Sequence, residues 1–279
     1  MTTTLAILNW FLPVGYLAAL LAYLGVFVET RPAIERVATA LTWGVVLIHA
    51  AYLALAATAF RHMPTANTWE SMSFIAFAVA LVYLVLEWRQ AERSTGVFLL
   101  AATLLFQTLS SAFVTHTRAV PEILRSPMFA VHVTAALVGY VALAVSAVYG
   151  LMYLLQYRQL KQQHVGLLFQ RLPNLEILSR LNVGALALGW IGLTIAILAG
   201  AVWATMLQLS GRLEGSFITD PKFLLTVGLW VLYGLCLGGR YLLRWANRTL
   251  ATVSIVGFAL MLASSLMVTL VLPSFHDFS

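Results

Sequence analysis

Eight continuous apolar runs divide the chain, and each is long enough to cross a lipid bilayer as an α-helix. A bilayer core about 30 Å thick requires about 20 apolar residues in a helix, whereas the strands of a membrane β-barrel alternate over about ten residues. The runs therefore predict an all-α fold, a polytopic membrane helix bundle with about eight transmembrane helices. Their approximate bounds are 5–28, 37–60, 71–88, 97–114, 129–157, 183–207, 223–243 and 249–272.

Charged residues are too scarce for a water-soluble fold. Asp, Glu, Lys and Arg make up 9% of the sequence and hydrophobic residues 61%, whereas a soluble domain carries about 25% charged residues. The net charge of +6 comes from basic residues between the spans, which indicates membrane lipid and not nucleic acid as a partner. Cys236 is the only cysteine, so thiol-pair chemistry is not expected. We expect a single integral membrane domain over residues 1–279.

The basic residues between the spans predict the orientation of the chain. Eleven of the 16 basic residues lie in the odd-numbered connections. Because basic loops are retained in the cytoplasm, these connections are predicted to be cytoplasmic and both termini external. In the cytoplasmic connection 158–182, Leu175, Leu178 and Leu181 predict either an amphipathic surface helix or an ordinary interfacial linker. The connection 208–222 is predicted to be an external loop.

This topology places four of the six histidines, namely His62, His116, His132 and His276, at the external side. Imidazole is a common ligand of haem iron and of transition metals, although a single interfacial histidine often bonds only to water or headgroups. His132 lies about one turn inside the fifth span, and His49 lies about 16 Å below the end of the second. A polar group as deep as His49 is expected to face a partner inside the bundle.

Three sequence stretches occur in a characteristic order. The first is HMPTANTWESMSF at 62–74 and the second is SPMFAVHVTAALVGYVALA at 126–144. The third runs from GAVWA at 200–204 through DPK at 220–222 to PSFHDF at the C-terminus. In this order they resemble the cytochrome c assembly family of haem-handling membrane proteins, of the CcsA/HemX type. The ordered set carries the resemblance, which covers about residues 60–277.

The resemblance implies a haem-binding or haem-translocating role in cytochrome c maturation or haem homeostasis. His132 and His276 match the two histidines that provide the axial ligands of an externally presented haem, here expected to be haem b. His62 matches a histidine assigned to a membrane-level haem site, and His49 is a further candidate near it. As part of an enzyme system, the protein would at most position haem for thioether formation to a cysteine pair on another protein.

External cations and aromatic side chains are candidates for the remaining contacts of a haem. The propionates require cations, and arginine matches a carboxylate best; the candidates are Arg118, Arg125, Arg212 and Lys222. The candidates for packing on the ring are Trp69, Phe129, Phe217 and Phe275. An interfacial aromatic belt would place the same aromatic residues there without any ligand.

The segment before DPK departs from the family pattern. The strongest haem handlers of the family have several tryptophans there, whereas MLQLSGRLEGSFITDPK has none. A second hypothesis therefore stays open, a non-catalytic membrane subunit or regulator that keeps the fold and has lost haem handling. A small-molecule transporter is less favoured, because the spans contain no clear acidic and basic pair.

The resemblance also implies partners and a location. An apocytochrome c and a soluble or membrane protein of cytochrome c assembly are the expected partners, together with membrane lipid. The expected location is the bacterial inner membrane, which the chain would cross several times.

Overall fold

The computed structural model describes residues 2–29, 31–60, 62–65, 67–90, 93–114, 126–163, 166–211 and 217–270, and their regular structure is helical. The α-helices are α1 (Thr2–Val28), α2 (Pro32–Phe60), α3 (Thr68–Gln90), α4 (Gly96–Phe113), α5 (Pro127–Lys161), α6 (Leu167–Arg171), α7 (Leu175–Leu209), α8 (Pro221–Leu242) and α9 (Asn247–Leu270). Eight of them, all except α6, are long and apolar enough to cross a membrane. The predicted all-α polytopic fold is confirmed. The external placement of the termini stays a prediction.

The described helices belong to two compact units. Unit 1 comprises Met1–Ala119 and Leu155–Ile177, and unit 2 comprises Val120–Leu154 and Leu178–Ser279. The expectation of a single membrane domain over 1–279 stays a prediction.

Unit 1 is built around α1 to α4, with tyrosines in its core. Leu12, Tyr16, Ala19 and Tyr23 are fully buried and recur at spacings of three and four along α1, which places them on one helical face. The tyrosine hydroxyls of this face reach polar groups of the neighbouring helices. The unit therefore contains hydrogen bonds in a membrane-spanning core, where no water satisfies polar groups.

Unit 2 is held together by close backbone contact between α5 and α7. A Cβ atom added to Gly192 would lie 2.8 Å from the Cα atom of Gly139, and one added to Gly139 would lie 3.1 Å from the nitrogen of Leu193. Glycines allow helix backbones to approach this closely in a membrane. The spacing between these helices sets the geometry of the site described below.

The connection between the fifth and sixth spans is mostly helical. α5 extends to Lys161 and α6 covers Leu167–Arg171. Instead of forming a separate surface helix, the expected leucines belong to the first turns of α7, where Leu178 is fully buried. Asn174 caps this helix, because its Oδ1 atom accepts a hydrogen bond of 2.9 Å from the backbone nitrogen of Ile177.

Candidate functional site

His132 lies on the second turn of α5 in unit 2, with its ring against α7. Its Nδ1 atom is 2.8 Å from the carbonyl oxygen of Ala196. A carbonyl oxygen can only accept a hydrogen bond, so Nδ1 carries the hydrogen and Nε2 carries the lone pair. Metal-binding histidines have this arrangement, in which one ring nitrogen donates to a backbone carbonyl and the other is the ligand.

Gly200 leaves the room in which the His132 ring lies. A Cβ atom at this position would lie 2.7 Å from Nδ1 and 2.8 Å from Cε1 of the ring. Gly200 is also the first residue of the GAVWA motif, and His132 belongs to the SPMFAVHV motif. The structure therefore brings two motifs into direct contact that are about 70 residues apart.

A pair of aromatic rings also joins these two motifs. The rings of Phe129 and Trp203 have centroids 5.3 Å apart at an interplanar angle of 48°, which is a favourable distance for an aromatic pair. Trp203 is buried. Phe129, predicted to pack on a haem, thus contacts an aromatic ring of the protein one turn before His132.

The DPK motif begins α8. Asp220 is buried and caps the helix, because its Oδ1 atom accepts hydrogen bonds from the backbone nitrogens of Lys222 at 2.9 Å and Phe223 at 3.1 Å. Pro221 occupies the first turn, where its missing N–H costs nothing. The cap fixes Lys222 in the first turn of α8.

His62 lies in unit 1, just after the end of α2. Its side chain is largely buried, and its Nδ1 atom is 2.7 Å from the carbonyl oxygen of Met63 and 3.9 Å from Oε2 of Glu70. Asn67 caps α3 by accepting a 2.8 Å hydrogen bond from the backbone nitrogen of Glu70. The HMPTANTWE stretch thus forms a turn and a helix start that place a carboxylate beside this imidazole.

Trp69 lies on the first turn of α3 in the same unit. Its ring packs against Phe113 at the end of α4, with the centroids 4.8 Å apart. The predicted haem-packing residue therefore contacts a protein aromatic, and that contact joins two helices of unit 1.

His49 is fully buried in unit 1 and hydrogen-bonded through both ring nitrogens. Nδ1 is 2.9 Å from the hydroxyl of Tyr16, and Nε2 is 3.0 Å from Oγ of Ser73. Ser73 donates its own hydrogen to Oε1 of Gln107 at 3.0 Å. Its oxygen therefore accepts from the Nε2–H of His49, and Tyr16 donates to Nδ1. The expected partner inside the bundle is present, and neither nitrogen has a lone pair left for iron.

Three residues that the structure makes prominent have no clear signal in the sequence. Ala196 acts through its backbone, and Gly200 acts through the absence of a side chain, neither of which a side-chain pattern reveals. Glu87 stands near the end of the apolar run 71–88, a usual place for an interfacial residue. In the structure it is buried and accepts hydrogen bonds from Tyr23, Tyr83, Thr39 and Arg93.

Several predicted site residues fall outside the part of the chain that the structure describes. They are His276, Arg118, Arg125, Arg212 and Phe275, and Phe217 is described only in its backbone. His116, predicted to lie at the external side but not to belong to a site, also falls outside the described residues. Within the described ranges, no three His, Cys, Asp or Glu side chains converge in a way that could hold a metal ion. A ligand set built from the described residues alone would therefore have at most two such side chains.

Comparison with known proteins supports the resemblance seen in the sequence. A family model described as "Cytochrome C assembly protein" matches residues 65–276. The chain is 29% identical over 265 residues to Protein HemX of Brevibacillus brevis, with 94% of each chain covered. It is 28% identical over 289 residues to the Cytochrome c biogenesis protein CcsA of Synechococcus sp. (strain CC9902), covering 92% of this chain and 90% of the relative. The CcsA of Parasynechococcus marenigrum (strain WH8102) is 29% identical over 248 residues, with 78% of each chain covered.

Proposed function

Because the chain belongs to the cytochrome c assembly protein family, we propose that it binds haem in the membrane and supports cytochrome c maturation. In this proposal His132 provides one axial ligand at the end of unit 2 that contains the start of α5, the end of α7 and the start of α8. The proposed location is the bacterial inner membrane, with this end on the external side. The likeness to CcsA proteins over most of both chains supports the maturation role.

The observation that carries the proposal is the hydrogen bond from His132 to Ala196. The bond holds the hydrogen on Nδ1 and thereby keeps the lone pair on Nε2, as an iron ligand requires. The residues present thus fit one axial position of a haem. When bound, the haem would supply the iron and the vinyl carbons that are joined to the cysteine pair of an apocytochrome c.

The other contacts of the haem are proposed from neighbouring elements. Lys222, in the first turn of α8, is proposed as a partner of a propionate, because its positive charge suits a carboxylate. His276 is proposed as the second axial ligand and haem b as the haem type. Arg118 and Arg125 are proposed as further propionate partners. An apocytochrome c is the proposed partner, together with other assembly proteins.

His62 is proposed as a ligand of a second haem at the end of unit 1 near the start of α3. Its Nδ1 donates to the carbonyl of Met63, so Nε2 carries the lone pair, as in His132. Trp69 lies on the neighbouring helix start and is proposed to line this site. His49 is left out of the proposal, because both of its nitrogens are used by side chains of the core.

A second candidate function is a non-catalytic subunit or regulator of the same fold. The observation that favours it is the tryptophan-free stretch from Met206 to Lys222, where the strongest haem handlers of the family have several tryptophans. In this alternative the His132 arrangement is retained for packing between α5 and α7, and the purified protein takes up no haem.

The absorption spectrum of the purified, haem-supplemented protein separates these functions. We expect the wild type to show a Soret band, and His132→Ala and His276→Ala each to lose the part of it that comes from the haem they are proposed to bind. His164→Ala, in the predicted cytoplasmic connection, is the matched control and keeps the band. A colourless wild type would overturn the haem proposal and favour the regulator. A band indifferent to both ligand substitutions would overturn only the ligand assignment.

A pyridine haemochrome assay on the same samples determines the haem type and the number of haems. Two haems per chain, one of them lost in His62→Ala, is the result expected from the second site. A stoichiometry of one or less that His62→Ala leaves unchanged removes that site from the proposal.

A further inference from the structure

We propose that the carbonyl of Ala196 and the absent side chain of Gly200 form a seat that selects the Nδ1–H tautomer of His132 and orients its Nε2 toward iron. We call these two elements the histidine seat. The inference rests on the proposed function and deepens it, because it makes Gly200 the positioning residue of the axial ligand. Gly200 has no side chain that could contact a haem, so it acts on the ligand through the position of His132.

The seat depends on the spacing of four residues between Ala196 and Gly200. In an α-helix the carbonyl of residue 196 accepts the backbone hydrogen bond of residue 200, so the two groups lie next to each other. A carbonyl oxygen has two lone pairs and accepts a second donor. The imidazole reaches this second position only where residue 200 has no Cβ atom, which would lie 2.7 Å from Nδ1.

Close packing farther along the helices brings α7 within reach of the ring. Gly139 follows His132 by seven residues, about 10 Å along α5. There it faces Gly192, and a Cβ atom added to Gly192 would lie only 2.8 Å from the Cα atom of Gly139. Because the backbones touch at this point, a backbone oxygen of α7 can contact a side chain of α5. Gly192 therefore sets the distance between the helices, and Gly200 makes room for the ring.

The seat has a consequence for the iron. A ring nitrogen that donates to a carbonyl increases the basicity of the opposite nitrogen, and hydrogen bonds to ligands tune the metal site. A more basic imidazole stabilises ferric over ferrous iron. Loss of the seat is expected to raise the midpoint potential of the haem and to weaken its binding about 10- to 100-fold, the usual effect of losing such a supporting bond.

Nitrogen NMR of the haem-free, full-length protein in lipid nanodiscs tests the seat directly. The protein is labelled with ¹⁵N-histidine, and the His132 signals are assigned by their loss in His132→Ala. We expect a protonated Nδ1 and an unprotonated Nε2 in the wild type. In Gly200→Ala the added methyl group displaces the ring, so this tautomer is expected to be lost or mixed.

Gly184→Ala is the matched control on the same helix, because nothing lies within 4 Å of an added Cβ at that position. It should leave the His132 signals and the midpoint potential unchanged. A wild-type His132 with its hydrogen on Nε2 would overturn the seat, as would a folded Gly200→Ala protein with unchanged signals and potential. If Gly200→Ala fails to fold, the wild-type spectrum alone decides. If the wild type binds no haem, the proposed function fails while the tautomer still confirms or overturns the seat.

Discussion

His49 in unit 1 and His132 in unit 2 are both histidines of membrane-spanning helices, yet their surroundings give them opposite properties. His49 is hydrogen-bonded at both nitrogens by side-chain hydroxyls and carries its hydrogen on Nε2. His132 donates from Nδ1 to a backbone carbonyl and lies against a glycine. The difference shows that the partners of an imidazole, more than its depth, decide which of its two nitrogens carries the hydrogen.

The polar chain around His49 explains why unit 1 needs this histidine. Hydrogen bonds run from Tyr16 through His49, Ser73 and Gln107, and from there through Ser111 to the backbone oxygen of Asn9. The chain links α1, α2, α3 and α4, and each donor in it has an acceptor. Such a network is stabilising when it is complete and costly when one member is lost, since hydrocarbon offers no replacement.

Replacing His49 by leucine should give the largest loss of stability. The change leaves the Tyr16 hydroxyl without its acceptor and takes a donor from Ser73, and an unsatisfied buried group costs about 1 to 3 kcal/mol. We expect the free energy of unfolding, measured by SDS titration in mixed micelles, to fall by about 3 kcal/mol. Haem per folded protein should stay unchanged.

Two controls decide whether this loss reflects the network. His49→Gln keeps one acceptor and one donor and should recover most of the stability. His132→Leu should lower the free energy of unfolding by about 1 kcal/mol, the usual net value of one hydrogen bond, while it abolishes binding of the haem proposed at His132. Equal losses of stability at the two histidines would contradict the comparison.

Glu87→Gln tests a second polar cluster of unit 1. Tyr23 and Tyr83 both donate to Oε2 of Glu87, and Thr39 and Arg93 donate to Oε1. An amide has only one oxygen, so at least two of these donors lose their acceptor. Thermal unfolding should show a loss of about 2 kcal/mol, since hydrogen bonds to charged groups are worth about 1.5 to 3 kcal/mol.

The matched control is Glu29→Gln, which removes an exposed ion pair with Arg31 of 2.9 Å. Exposed pairs contribute about 0 to 1 kcal/mol, so the melting temperature of this variant should barely change. A shift as large as that of Glu87→Gln would show that burial of the carboxylate is not what matters.

Asp220→Ala should give the smallest effect, because the cap of α8 in unit 2 is a local contact. Loss of a helix cap costs about 1 kcal/mol, and circular dichroism during thermal unfolding measures it. Asp220→Asn keeps the accepting oxygen and should be close to the wild type. If the asparagine variant were as unstable as the alanine variant, the carboxylate would have a role beyond capping.

The fold could be predicted from the sequence because each span is a local signal. The bounds were less accurate, since hydropathy measures the part of a helix that lies in lipid. The second span was predicted from about residue 37, whereas α2 begins at Pro32 and has Glu35 in its first turn. The sixth was predicted from about residue 183, whereas α7 begins at Leu175. Polar residues extend both helices beyond the apolar window.

The candidate site could be predicted only where side chains carried the signal. The motif identified His132, but its acceptor is a backbone oxygen and its position depends on a missing side chain, and neither has a local sequence pattern. The cluster around Glu87 could not be predicted for another reason, because its members Tyr23, Thr39 and Arg93 are spread over 71 sequence positions. Only the packing of the helices brings these residues together.

The acceptor for His132 belongs to the main chain, and this has a consequence for sequence drift. Every amino acid provides a carbonyl oxygen, so substitutions at position 196 do not remove the acceptor and are limited only by the size that its buried surroundings allow. Position 200 has no such freedom, because any side chain begins with the carbon atom that would overlap the ring. Two neighbouring sites on one helix should therefore differ widely in tolerance, and the residue that makes the hydrogen bond should be the more variable of the two.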